Sequence, residues 1–159
     1  MAPLNRMNRV EDEPIEKGQE ELKRAERLND RELVAALQQA VKSEKESCVD
    51  VVCFLAVFHK RRLAASEGYE NAFVYCLREL GYSESEAYKR FRAAKAARDF
   101  PLVLSRLRAG RIHLSAVTTL ANHLTHENHA DLLTRAERLS IRQLEFLAAS
   151  LAPRPEITD

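Results

Sequence analysis

The chain has 159 residues and a mass of 18.1 kDa, enough for one self-sufficient core. Only four glycines and five prolines occur, which excludes collagen-like or long flexible stretches. No apolar run approaches the length of a membrane span, and the N-terminus has no apolar segment of a secretory signal. The three cysteines, Cys48, Cys53 and Cys76, then read as reduced, buried thiols of a cytoplasmic protein. Their spacing fits no zinc motif. The net charge of +1 conceals an asymmetry: residues 1–59 carry −3, residues 60–111 carry +6, and residues 112–159 carry −2. A basic segment between two mildly acidic ones suits a polyanion partner. It equally suits a solvated helical surface with internal ion pairs.

Taken in chain order, residues 1–27 read as a disordered tail, polar and interrupted by Pro3, Pro14 and Gly18. Residues 28–152 read as one helical domain, and residues 153–159 as a terminal tail or linker. Asn29 with Glu32 forms a capping-box signature. Apolar residues then recur at Leu33, Leu37, Val41, Cys48, Val51, Val52, Leu55 and Phe58, the 3.6-residue period of one helical face. The spacing predicts one helix over about 30–64, roughly 50 Å long. So long an apolar face needs the rest of the chain or a second chain along it, hence a possible homodimer through this helix.

Gly68 follows as a stop, and a short amphipathic helix ends at Gly81, where a left-handed C-cap belongs. Ser83 with Glu86 opens the next helix, to about Arg98. Pro101 breaks it, and a helix of about 101–109 ends at Gly110. Further helices are expected from Ser115 to about Asn122, over Glu127–Glu137, and from Ser140, with Gln143 completing a capping box, to about Leu151. No segment alternates with period two. The fold class is therefore all-α, a multi-helix domain of six or seven helices with one long helix and a helix-turn-helix-like core.

A short helix, Gly81-Tyr82-Ser83 and a capped helix are the layout of a helix-turn-helix. Gly81 supplies a positive φ, and Tyr82 should tuck between the two helices. Arg90 stands where that motif prefers an apolar or small residue, and Leu77 where it prefers a small one. At 100° per residue, Ala87, Phe91, Ala94 and Ala97 face inward. Ser85, Tyr88, Lys89, Arg92, Lys95 and Ala96 share an outward arc with cations, hydroxyl groups and no acid. Such a face suits phosphates and base edges. Arg106, Arg108 and Arg111 would extend a phosphate-holding rim. Two readings stay open on the residues alone, DNA contact and a plain packed bundle.

His123, His126 and His129 invite a metal reading that needs all three on one turn. Thr125 as a helix cap would split them, so the expectation is no metal site, with His113 bonding to backbone in a turn. Cys76 sits on an apolar face and reads as core. No nucleophilic triad, P-loop or dinucleotide fingerprint is present, so no catalytic residue and no cofactor are assigned.

The stretch from KRRLAASEGYENAFVYCLRELGYSESEAYKRFRAAKAARDF through GRIHLSAVTTLANHLTHENH resembles the N-terminal helical region of a family of bacterial HNH endonucleases. Gly68, Tyr69, Phe73, Tyr75 and Cys76 match its first motif. Gly81, Tyr82, Ser83, Ala87 and Arg90 match the second. Phe100 and Pro101, then Gly110, Arg111, His113, Leu114 and Ser115, match the later ones. The similarity covers about residues 28–155. The segment GYSESEAYKRFRAA also resembles, more loosely, the helix-turn-helix of ParB-like partition proteins. In the nuclease family the catalytic module follows a proline-containing segment similar to LAPRPEITD, and an HNH site needs histidines on a ββα hairpin around a cation. The expectation is a module without that catalytic half: a non-catalytic binder of double-stranded DNA, cytoplasmic and associated with the nucleoid. The competing expectation is a protein-interaction, dimerisation or regulatory module that binds no nucleic acid.

Overall fold

The computed structural model describes residues 8–151, with side chains from residue 15 onward. Helix α1 runs Asn8–Glu26, inside the stretch expected to be irregular. Its second half is rich in Glu, Lys, Gln, Leu, Arg and Ala, whose summed helix preference outweighs the cost of Gly18, about 1 kcal/mol. Residues 1–7 and the expected terminal tail, 153–159, lie outside the described residues. Helix α2 runs Asp30–Lys60. Its start is the expected reciprocal cap: the Glu32 amide donates to Asn29 Oδ1 at 2.9 Å, and the Asn29 amide donates to Glu32 Oε1 at 3.1 Å. It stops four residues short of the expected end, because Arg62 turns left-handed with φ 55°.

Seven more helices follow: α3 Leu63–Ser66, α4 Ala72–Arg78, α5 Glu84–Asp99, α6 Leu102–Arg108, α7 Leu114–Leu120, α8 His129–Ala136 and α9 Ile141–Ser150. A 3-10 turn at Ala121–His123 extends α7. No strand occurs among the described residues, so the fold is all-α, with more and shorter helices than the periodicity alone separates. None of these helices is long and apolar enough to cross a membrane.

The chain divides into two units, Met1–Glu44 and Lys45–Asp159, with the division inside α2. In the first unit no described side chain is buried. The second holds the core. Phe100, Leu120, Leu124, Leu133, Leu144, Val52, Val103 and Val117 are its largest fully enclosed side chains. Helix α5 packs against α4, α6 and α7, and α7 packs in turn against α8 and α9. Alanine makes this possible: Ala87, Ala93, Ala94, Ala96 and Ala97 of α5 are all buried, and their small side chains let neighbours approach from more than one side.

Candidate nucleic-acid interface

The helix-turn-helix-like element is built by α4, the turn 79–83 and α5. Asn71 caps α4, its side chain accepting from the Val74 amide at 2.9 Å. The helix closes through the Tyr82 amide, which donates to the Cys76 carbonyl at 3.1 Å while Gly81 holds φ 72°. That six-residue closure around a left-handed glycine satisfies a carbonyl the helix end would otherwise orphan. Ser83 then opens α5. Its hydroxyl accepts from the Glu86 amide at 3.2 Å, and its own amide donates to Glu86 Oε2 at 2.9 Å. The bond from the Ser83 amide, helped by the Ser83 hydroxyl, holds the Glu86 carboxyl below its ordinary value.

Tyr82 packs against the core as expected. Arg90 lies across it, its guanidinium carbon 4.7 Å from the Tyr82 ring centre and Nη1 donating to the Glu86 carbonyl at 3.2 Å. This explains an arginine where the motif prefers an apolar residue: its hydrocarbon stem and flat head cover the turn. Leu77, where a small residue is preferred, packs on the core instead.

The outward arc of α5 is narrower than the helical wheel implies. Ser85, Tyr88 and Lys95 are exposed, and Lys89 and Arg92 are half-buried. Ala96, expected near one edge of the arc between Ser85 and Lys89, is only 3% exposed. Helix α7 and the 3-10 turn pack on that side. Arg92 leans the same way, Nη2 lying 3.5 Å from the Thr118 carbonyl, one of the last four of α7, where a cation complements the helix dipole. Its guanidinium carbon is 5.4 Å from the Tyr88 ring centre, and Lys95 Nζ is 5.6 Å from that of Phe91. Among the described residues, Lys89, Arg92, Lys95 and Arg111 make no ion pair.

Two cations of the expected rim are otherwise engaged. Arg106 binds Glu137 and donates to Thr134 Oγ1 at 3.2 Å, tying α6 to α8. Arg108 Nη2 sits 2.8 Å from Asp50 Oδ1, joining α6 to the second half of α2. Arg106 is mostly enclosed and neutralised, so its assignment as a phosphate contact is corrected to a structural tie. Arg108 is paired at the surface.

Other cations come together outside the predicted arc. A cleft of about 560 Å³ is lined by His59, Lys60, Arg62, Glu70, Asn71 and Arg98, among others. His59 stacks edge-on against Phe91 at 5.1 Å, and Phe91 carries Lys95, so a chain of contacts joins this cleft to the α5 stripe. The run His59-Lys60-Arg61-Arg62 was the available signal, but it reads equally as a charge-compensated helix end.

His126 and His129 pack edge-on, their ring centres 6.5 Å apart. Thr125 caps the turn before α8, its hydroxyl accepting from the Asn128 amide at 3.1 Å and its amide donating to Asn128 Oδ1 at 2.7 Å. His129 Nδ1 lies 2.9 Å and 3.0 Å from the Thr125 and His126 carbonyls, so that nitrogen carries a proton and donates. The His129 ring stacks on Phe100 at 4.8 Å. No group of three or more candidate ligands gathers for a metal among the described residues. His113 precedes α7, but its ring makes no capping hydrogen bond, contrary to expectation; its carbonyl does the work, accepting from the Ala116 and Val117 amides. Of the three thiols expected to be buried, Cys48 and Cys53 are only half-buried, whereas Cys76 is fully enclosed, and burial pushes its thiol up, against a smaller lowering by Arg90.

Compared with models of protein families, with curated proteins and with solved structures, the chain finds no match.

Proposed function

We propose that this chain is a non-catalytic module that binds double-stranded DNA through the exposed stripe of α5. The observation that carries the reading is the set Lys89, Arg92 and Lys95 on one stripe with Ser85 and Tyr88, with no carboxylate paired to any of the three among the described residues. Ammonium and guanidinium groups so placed displace counterions from phosphates, and the hydroxyl groups between them reach phosphate or base edges. Arg111 and the cations of the neighbouring cleft widen the basic surface; Arg106 leaves it. The resemblance to the N-terminal region of HNH endonucleases points to the same partner. A cytoplasmic place beside the nucleoid follows from this reading.

The test is fluorescence anisotropy with a labelled duplex. Wild type should bind at low salt, and the triple reversal of Lys89, Arg92 and Lys95 to Glu should abolish binding while the far-UV circular dichroism stays unchanged. Equal binding by a folded triple variant would refute the assignment.

A second reading is favoured by a different observation. An apolar groove of about 230 Å³ is lined by Val51, Phe54, Leu55, Phe58, Tyr75 and Leu80, with Phe54 71% exposed. In that reading the chain is an interaction module whose partner fills this groove. The triple reversal would leave such a partner bound, whereas Phe54→Asp would release it.

A further inference from the structure

We infer that residues 15–44 are a self-association surface, and that a second copy of this chain covers the first half of α2. Independently of the DNA reading, three observations within the first unit carry this. First, none of its described side chains is buried, although Ile15, Leu22, Leu33, Val34, Leu37 and Val41 are all apolar and each is at least 40% exposed. In proteins most helical stability comes from packing an amphipathic face rather than from propensity. Second, Leu33, Leu37, Val41 and Val34 fall within about 100° of one another around α2, a continuous stripe rather than scattered residues.

Third, the stripe's charge and size fit a copy of itself. From Leu33 to Val41 the sequence LVAALQQAV contains no charged residue. Nothing there selects a partner of opposite charge, and nothing repels an identical stripe. The four stripe side chains leave on the order of 400 Å² of apolar surface per copy, about half of the ~800 Å² per partner of a standard interface, which suits a micromolar rather than a permanent pairing. Two copies pairing through this stripe form an isologous contact, in which each side chain meets the same patch of its partner.

Sedimentation of the full chain at roughly 100 μM, which saturates micromolar association, tests this. The expected mass is twice 18.1 kDa. Leu37→Glu should return it to a single copy, because the charge sits in the centre of the stripe. Gln39→Glu, on the opposite side of α2, should leave the double mass unchanged. Leu37 is 64% exposed in the single chain, so Leu37→Glu removes no core contact and the variant should keep its helical circular dichroism. A thermal midpoint that rises with protein concentration in wild type, and does not in Leu37→Glu, would support the same conclusion. A wild type of single mass at that concentration overturns the inference. So does a double mass that survives Leu37→Glu, which would place association elsewhere, such as the groove beside Phe54.

Discussion

The first half of α2 and helix α5 invert the usual relation between hydrophobicity and burial. Residues 33–41 hold two leucines, two valines and three alanines with no charge, and every one of them is exposed. Helix α5 holds five cations and three acids in sixteen residues, yet five of its alanines are enclosed. The difference lies in shape and neighbours. Alanine leaves room for α4, α6 and α7 to close around α5, whereas the large stripe of α2 meets nothing in its own unit. Apolar content therefore says that a face needs a partner; it does not say that the chain supplies one.

The sharpest break of this comparison is a pair of truncations. Phe100→Ala, at a side chain 2% exposed where α5 ends, should cost ~3–5 kcal/mol in urea unfolding. Leu33→Ala, measured in dilute protein, should change stability by less than ~0.5 kcal/mol. Equal costs would mean that the two regions do not differ as described. Next in size, Gly81→Ala forces a left-handed backbone on an L-residue at φ 72°. The added Cβ meets nothing within 4 Å, so the expected loss of about 1–2 kcal/mol is backbone strain alone. Gly81→Asn should recover part of it, as asparagine tolerates that conformation.

The smallest effect is a pH dependence at the start of α5. Glu86 has its folded carboxyl lowered by the Ser83 bonds, so its cap is fully present above the unfolded carboxyl's ordinary value and lost as pH falls through the folded one. Thermal midpoints of wild type and Glu86→Gln should differ in slope only in that acid window. Parallel curves there would show that the cap carries no pH-dependent stability.

The parts of the molecule legible in the sequence are those fixed by neighbours three or four residues away. The caps at Asn29, Ser83 and Ser140 form with Glu32, Glu86 and Gln143 as the spacing predicts. The turn at Gly81 is likewise local. What the spacing could not show depends on distant partners. Arg106 meets Glu137, thirty-one residues away, and Arg108 meets Asp50, fifty-eight residues away. Ala96 is covered by helices that follow it, which no helical wheel contains. Helix α1 is hidden for another reason: Pro14 and Gly18 read as breakers, although helix formers surround them. At the expected rim, Arg106 and Arg108 pair with these distant acids, whereas Lys89, Arg92 and Lys95 of α5 make no ion pair among the described residues.

The salt dependence of duplex binding tests the α5 stripe most directly. Plotted as log affinity against log salt, wild type should give a steep negative slope, and Lys95→Ala should reduce it by about 0.9 for one phosphate lost. Arg106→Ala should leave the slope unchanged, because that guanidinium already serves Glu137. A flat wild-type line, or a slope that falls with Arg106→Ala and not with Lys95→Ala, would contradict the assignment of this helix to DNA.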